Sequence, residues 1–176
     1  MLHVSFTAKP FDKQPTQCAV VSVFADIKPL VGHAALLDWR LNGRLSRVII
    51  KNRFEGHEGE TLLMPTEGRL KAKEILVVGM GNKRDFHQGK IPEIINRLLL
   101  VVGKKKIPDF MISFTDILPD RFEWRNAVRL LVSNLHEIPL VEMVRLCETN
   151  ECVRDAKRRH MDFGLNVGVS FETLSS

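Results

Sequence analysis

Lys73 to Lys83, KEILVVGMGNK, is the stretch on which the reading of this chain turns. Glu74 to Val78 (EILVV) is rich enough in apolar and β-branched residues for a strand covered on both faces, as in the interior of a parallel sheet. Gly79-Met80-Gly81-Asn82 then turns the backbone at the carboxyl end of that strand, ahead of the next helix.

Just before it, Thr61 to Met64 reads as a neighbouring strand, joined to the first through the turn-rich PTEGRLKAK. Upstream, His3 to Thr7 and Cys18 to Ala25 (CAVVSVFA) are short β-branched runs separated by a polar segment that holds Pro10 and Pro15. Downstream, Phe110 to Phe114 (FMISF), Leu140 to Leu146 and the GLNVGVSF run near the end read as further strands.

Between them the period changes. Leu37, Leu41, Leu45, Val48 and Ile49 share one side at helical spacing, and Arg40, Arg44, Arg47 and Lys51 recur every three or four residues beside them. That pattern predicts one amphipathic helix from His33 to about Asn52 with a basic face. Ile91 to Val102 is apolar almost all round, as expected of a helix lying between the sheet and another layer. Arg121 to Leu135 is expected to be a helix with Trp124, Val128, Leu131 and Leu135 inward, and Glu151 to Met161 a charged helix. Strands alternating with helices imply βαβ units, so the expected fold is α/β, a three-layer α/β/α domain around a mostly parallel mixed sheet.

Composition sets limits on function. At 176 residues, 44% of them hydrophobic, the chain closes one sizeable core and is short for two, and no long linker divides it, so residues 1–176 are read as a single domain. No apolar run approaches the roughly twenty residues that span a bilayer, and MLHVSFTAKPF lacks the form of a signal peptide. The expected setting is cytoplasmic, without membrane contact. Three cysteines, Cys18, Cys147 and Cys152, fit reduced thiols better than a disulfide framework. Cys18, inside an apolar run, reads as core.

Three linked pieces, GRLSRVIIKNRFEG, GETLLMPTEG and KEILVVGMGNK, resemble the N-terminal domain of the leucyl aminopeptidase (cytosol aminopeptidase) family. The resemblance is strongest over residues 30–106. It implies a macro-domain-like fold, and the family's activity is metal-dependent removal of residues from the amino end of peptides. Two-metal hydrolysis needs a dense set of carboxylates a few ångströms apart. The family's catalytic stretches, one like Asn-Thr-Asp-Ala-Glu-Gly-Arg and another like Gly-Lys-Gly followed by Phe-Asp, have no counterpart in this sequence; Gly103-Lys104-Lys105-Lys106 lacks the partners. No catalytic residue, metal ligand or cofactor is therefore carried over. The chain reads as a family member that ends, at Ser176, where a catalytic domain would begin, and Asp116, Asp120 and Glu123 read as solvated loop or helix-start acids.

The candidate ligand site is Gly79, Met80, Gly81 and Asn82, where backbone N–H groups at a strand end could cradle a nucleotide or an ADP-ribose-like anion. The same residues are also what a tight turn requires, and neither a third glycine with a downstream acid nor a Gly-x-x-x-x-Gly-Lys-Ser/Thr loop is present. Cys147, Cys152 and His160 have a spacing wider than the usual zinc knuckle, and a Cys–His nucleophilic pair has no more support. His33, His57, His87 and His136 read as surface or helix-end residues. Arg40, Arg44, Arg47 and Lys51, with Lys104 to Lys106 and Arg154, Lys157, Arg158 and Arg159, make contact with nucleic acid conceivable. No aromatic residues interleave them and tyrosine is absent, so a single-strand stacking platform is missing. The favoured expectation is a noncatalytic domain acting through a protein partner or self-association. The alternatives are a module for an anionic ligand or nucleic acid, and the noncatalytic half of a split aminopeptidase.

Overall fold

The computed structural model describes residues 1–118 and 123–174. Seven strands form one sheet: β1 (Leu2–Thr7), β2 (Thr16–Val23), β3 (Thr61–Pro65), β4 (Ala72–Gly79), β5 (Asp109–Ile112), β6 (Met143–Cys147) and β7 (Val167–Glu172). Their order is β3-β4-β2-β5-β6-β1-β7. Every neighbouring pair runs parallel except β3 and β4, which form an antiparallel hairpin with Leu63 opposite Leu76.

The central strands alternate between two cores, as the period of two demands. Leu76 and Val78 of β4, Cys18 and Val20 of β2, and Phe110 and Ile112 of β5 face one core; Ile75, Val77, Ala19, Val21 and Met111 face the other. The first core is covered by α3 (Ile91–Lys104), α5 (Trp124–Leu135) and α6 (Asn150–Arg158). The second is covered by α1 (Gly32–Arg40) and α2 (Arg44–Ile50). The fold is the expected α/β/α sandwich with a mostly parallel sheet.

Several elements differ from the sequence expectation. The segment from His33 to Asn52 is two helices, because Asn42 and Gly43 adopt left-handed φ values of 54° and 73° and break the helix after Arg40. Leu41 stays fully buried across the break, so the leucine spacing runs on through it. Arg40 consequently lies on one helix and Arg44 and Arg47 on the next. The strand at Phe110 stops at Ile112, and Phe114 opens α4 (Phe114–Ile117), a short helix capped by Ser113, whose hydroxyl accepts from the N–H of Asp116. Helix α3 is amphipathic, burying Ile91, Ile95, Leu98, Leu99 and Val102 and leaving Leu100 largely exposed. The fifth helix begins at Trp124, with Val128, Leu131 and Leu135 buried; Asp120 and Arg121 lie outside the described residues. Among the described residues no helix is long and apolar enough to cross a membrane.

Candidate functional site

The chain leaves β2 toward β4 on one side and later returns to β5 on the other, so β2 and β5 flank the point where strand order reverses. In open α/β sheets, ligands bind in the crevice outside the strand ends at such a point. A crevice of about 500 Å³ opens there, between the loop after β2 (Phe24, Ile27, Leu30, Val31), the residues after β5 (Thr115 to Leu118) and Lys83 with Arg84 beyond β4. A second hollow of about 510 Å³ lies outside the ends of β1 and β6, against Lys9, Phe11, His33, Cys147 and Glu148. Thr115 and Asp116 line both.

Three acidic side chains organise this bay. Asp116, at four-fifths burial, accepts hydrogen bonds from the His33 N–H at 3.0 and 3.2 Å and so closes the start of α1. Glu148, 5% exposed, accepts from the N–H groups of Phe114 (2.7 Å) and Thr115 (3.1 Å) and from the hydroxyls of Ser113 and Thr115. Burial pushes its pKa up, against the pull of those donors. Asp26 accepts from the N–H of Lys83 at 2.8 Å. The His33 ring stacks on Phe11 at 4.1 Å between centroids, with Nδ1 3.7 Å from Asp116 Oδ2. Its pKa is lowered, chiefly by burial.

Asp116 is thus far from the solvated acid that its sequence position implied, and His33 is a half-buried wall residue. Glu123 does what a helix-start acid should, accepting from the Arg125 N–H at the head of α5. Glu148 carried no sequence signal, because its donors lie more than thirty residues away.

The Gly79 to Asn82 turn sits at the end of β4 as expected, and three of its backbone donors are taken. The N–H groups of Gly79, Met80 and Gly81 donate to the carbonyls of Glu60, Val23 and Gly56 at 2.8, 3.0 and 2.9 Å. A Cβ on Gly79 would collide with the carbonyl oxygen of His57, and Gly81 has φ of 72°. Both glycines are explained by the turn and the close approach of the 56–60 loop. Asn82 donates through its amide to Asp85, and short 3₁₀ turns at Lys83–Asp85 and Gln88–Lys90, not an α-helix, follow directly.

The expected basic face is spread over two helices, and its three arginines are engaged. Arg40 pairs with Asp12 at 2.7 Å, Arg44 with Glu67 at 3.2 Å, and Arg47 donates to the Asn42 carbonyl at 2.7 Å, while Lys51 follows α2 on the surface. Among the described residues no three of His, Cys, Asp and Glu converge in a way that could hold a metal ion. Burial pushes the thiols of Cys18 and Cys147 up to about 12, which leaves them protonated and poor nucleophiles. His57, His87 and His136 are exposed.

This sandwich, with its crevice at the strand ends, is macro-domain-like. It is similar to the macrodomain of Mycobacterium tuberculosis DarG, with a TM-score of 0.67 and 14% identity over 81% of this chain and 96% of that one. It is also similar to the Trypanosoma brucei macrodomain solved in complex with ADP-ribose, with a TM-score of 0.69 and 13% identity over 90% of this chain and 68% of that one. Residues 20–137 match the family model for the N-terminal domain of the cytosol aminopeptidase family, and the chain belongs to that family. A probable cytosol aminopeptidase of Buchnera aphidicola subsp. Acyrthosiphon pisum is 32% identical over 139 residues, which are 79% of this chain and 27% of that protein. The chain thus spans about a quarter of the length of such relatives.

Proposed function

We propose that this chain is a noncatalytic binding domain of its family that works by protein contact, its partner being the remaining part of a cytosol aminopeptidase. The observation that carries the reading is an exposed apolar ridge along α1 and its N-cap, where the Arg40 guanidinium lies 4.8 Å from the centre of the Trp39 ring. Val31, Ala35 and Trp39 follow one another at four-residue spacing, Val31 61% and Trp39 68% exposed. Beside them Pro29, Leu30, Ala35 and Asn42 line a further hollow of about 390 Å³. Large aromatic side chains exposed next to a hollow are the usual anchors of protein interfaces. The choice of partner comes from the relatives, in which the matching segment is about a quarter of a longer polypeptide and so works beside the rest of it.

The noncatalytic part of the reading is supported by the use made of acidic groups in the bay. Asp116 and Glu148 are spent on backbone N–H groups of the chain itself, which is a structural duty and not that of a metal ligand. A cytoplasmic setting goes with free cysteines at 18, 147 and 152. Against the ADP-ribose of the trypanosomal neighbour as this chain's ligand stand the N–H groups of Gly79, Met80 and Gly81, which are already bonded within the chain.

The test is direct. The purified chain is expected to leave leucine-p-nitroanilide intact with added manganese or zinc; turnover would overturn the noncatalytic reading. Mixed with the separately purified remaining part of a cytosol aminopeptidase from the same cell, it is expected to co-elute in gel filtration. The Trp39→Ala variant should bind at least about tenfold more weakly, in line with loss of an aromatic anchor. Independent elution of the wild-type chain would overturn the contact.

A further inference from the structure

Phosphoryl groups are held in α/β crevices by backbone N–H groups left unpaired at helix starts and tight turns. Around this bay several of those donors already have acceptors from within the chain. The His33 N–H at the start of α1 is bonded to Asp116, the Phe114 and Thr115 N–H groups to Glu148, and the Lys83 N–H to Asp26. Met80 and Gly81 donate to main-chain carbonyls. Three of these acceptors are carboxylates, so each stands where an oxygen of a bound anion would otherwise be.

Asp116 differs from the other two in lining both the 500 Å³ crevice and the hollow beside it. It is also fitted to its place. Gly32 has φ of 60° and carries no Cβ, and a Cβ there would collide with Asp116 Oδ1, so the carboxylate packs against a bare Cα. We propose that Asp116 sets the ligand specificity of this crevice, excluding phosphoryl and other anionic groups and leaving it to neutral or hydrogen-bond-donating ligands.

The surroundings do not cancel its charge. The nearest ring, His33, is 3.7 Å away through Nδ1 and is kept neutral by burial. Lys83 and Arg84 stand on the opposite rim in solvent; Arg84 is 79% exposed and lies 3.7 Å from Asp85, so salt screens it. An anion entering the crevice therefore meets a fixed negative group in its wall, beside the His33, Phe114, Thr115 and Lys83 N–H groups that are already bonded within the chain.

The experiment is titration calorimetry with inorganic pyrophosphate and with ADP at physiological salt, on the wild-type chain, Asp116→Ala and Asp116→Asn. The asparagine variant keeps an oxygen for the His33 N–H, so it covers the case in which the alanine variant fails to fold. Expected are no saturable binding by the wild-type chain up to millimolar ligand, and binding at least about tenfold tighter in the variants. Saturable wild-type binding of either ligand overturns the proposal. So do folded variants as indifferent to both ligands as the wild type. No partner protein enters the measurement, so its failure and that of the protein-contact reading are separable.

Discussion

Glu148 carries four hydrogen bonds at 5% exposure, which makes it the most heavily committed acid of the bay. Glu148→Ala strands the N–H groups of Phe114 and Thr115, and a buried donor without an acceptor costs about 1–3 kcal/mol. The unfolding free energy from urea titration is expected to fall by that amount at neutral pH. The pH dependence decides whether burial or hydrogen bonding dominates. Because burial raises the folded pKa above its ordinary value of 4.5, the folded wild-type chain takes up a proton before the unfolded chain does. The advantage of wild type over Glu148→Ala should then widen on acidification through the folded pKa and level off below 4.5. A gap that narrows would mean that the donors outweigh burial. Neither this role nor that of Asp116 was legible in the sequence. A carboxylate near a helix start reads as solvated, and what buries it is a segment 34 residues away for Glu148 and 83 for Asp116.

Elements were more legible where one strand meets two cores. β4 announces itself because Ile75, Leu76, Val77 and Val78 are all apolar, and only a strand covered on both sides needs that. The α1–α2 break was hidden for the opposite reason. Leu37, Leu41 and Leu45 are all fully buried, so the helical spacing persists across two residues of left-handed backbone. The available signal was Asn42-Gly43, a pair suited to positive φ. A second device was invisible: Asp38, before the break, accepts from the N–H groups of Leu45 (2.8 Å) and Ser46 (3.1 Å) and from the Ser46 hydroxyl, and so caps α2 from the preceding helix. Asp38→Ala is expected to cost about 1–2 kcal/mol in urea unfolding followed by circular dichroism, and Asp38→Asn, which keeps one acceptor, distinctly less. Equal effects of the two substitutions would remove Asp38 from the capping role.

Across the whole molecule, the alternation of strands and helices gave the three-layer class, whereas the strand order depends on pairings such as Phe6 with Phe171 that no local pattern records. The same long-range geometry changes the meaning of the charge. A net charge of +5 and recurring arginines looked like a basic face. Folded, two of those arginines join elements, Arg40 reaching Asp12 and Arg44 reaching Glu67, as do Arg145 with Asp109 and Arg125 with Asp155 elsewhere in the chain. Phosphate contacts release counterions in proportion to the cations that make them, so the salt dependence of DNA binding counts the cations available. The arginines of α1 and α2 are engaged internally, and cations outside any ion pair among the described residues, such as Lys51, Lys71, Lys104 and Lys157, lie on different segments of the fold. Fluorescence anisotropy with a labelled DNA duplex is therefore expected to give a log–log salt slope shallower than about −4, corresponding to fewer than about five phosphate contacts at 0.9 per contact. A steeper slope would show that these pairs open to DNA and that the basic residues form one working surface.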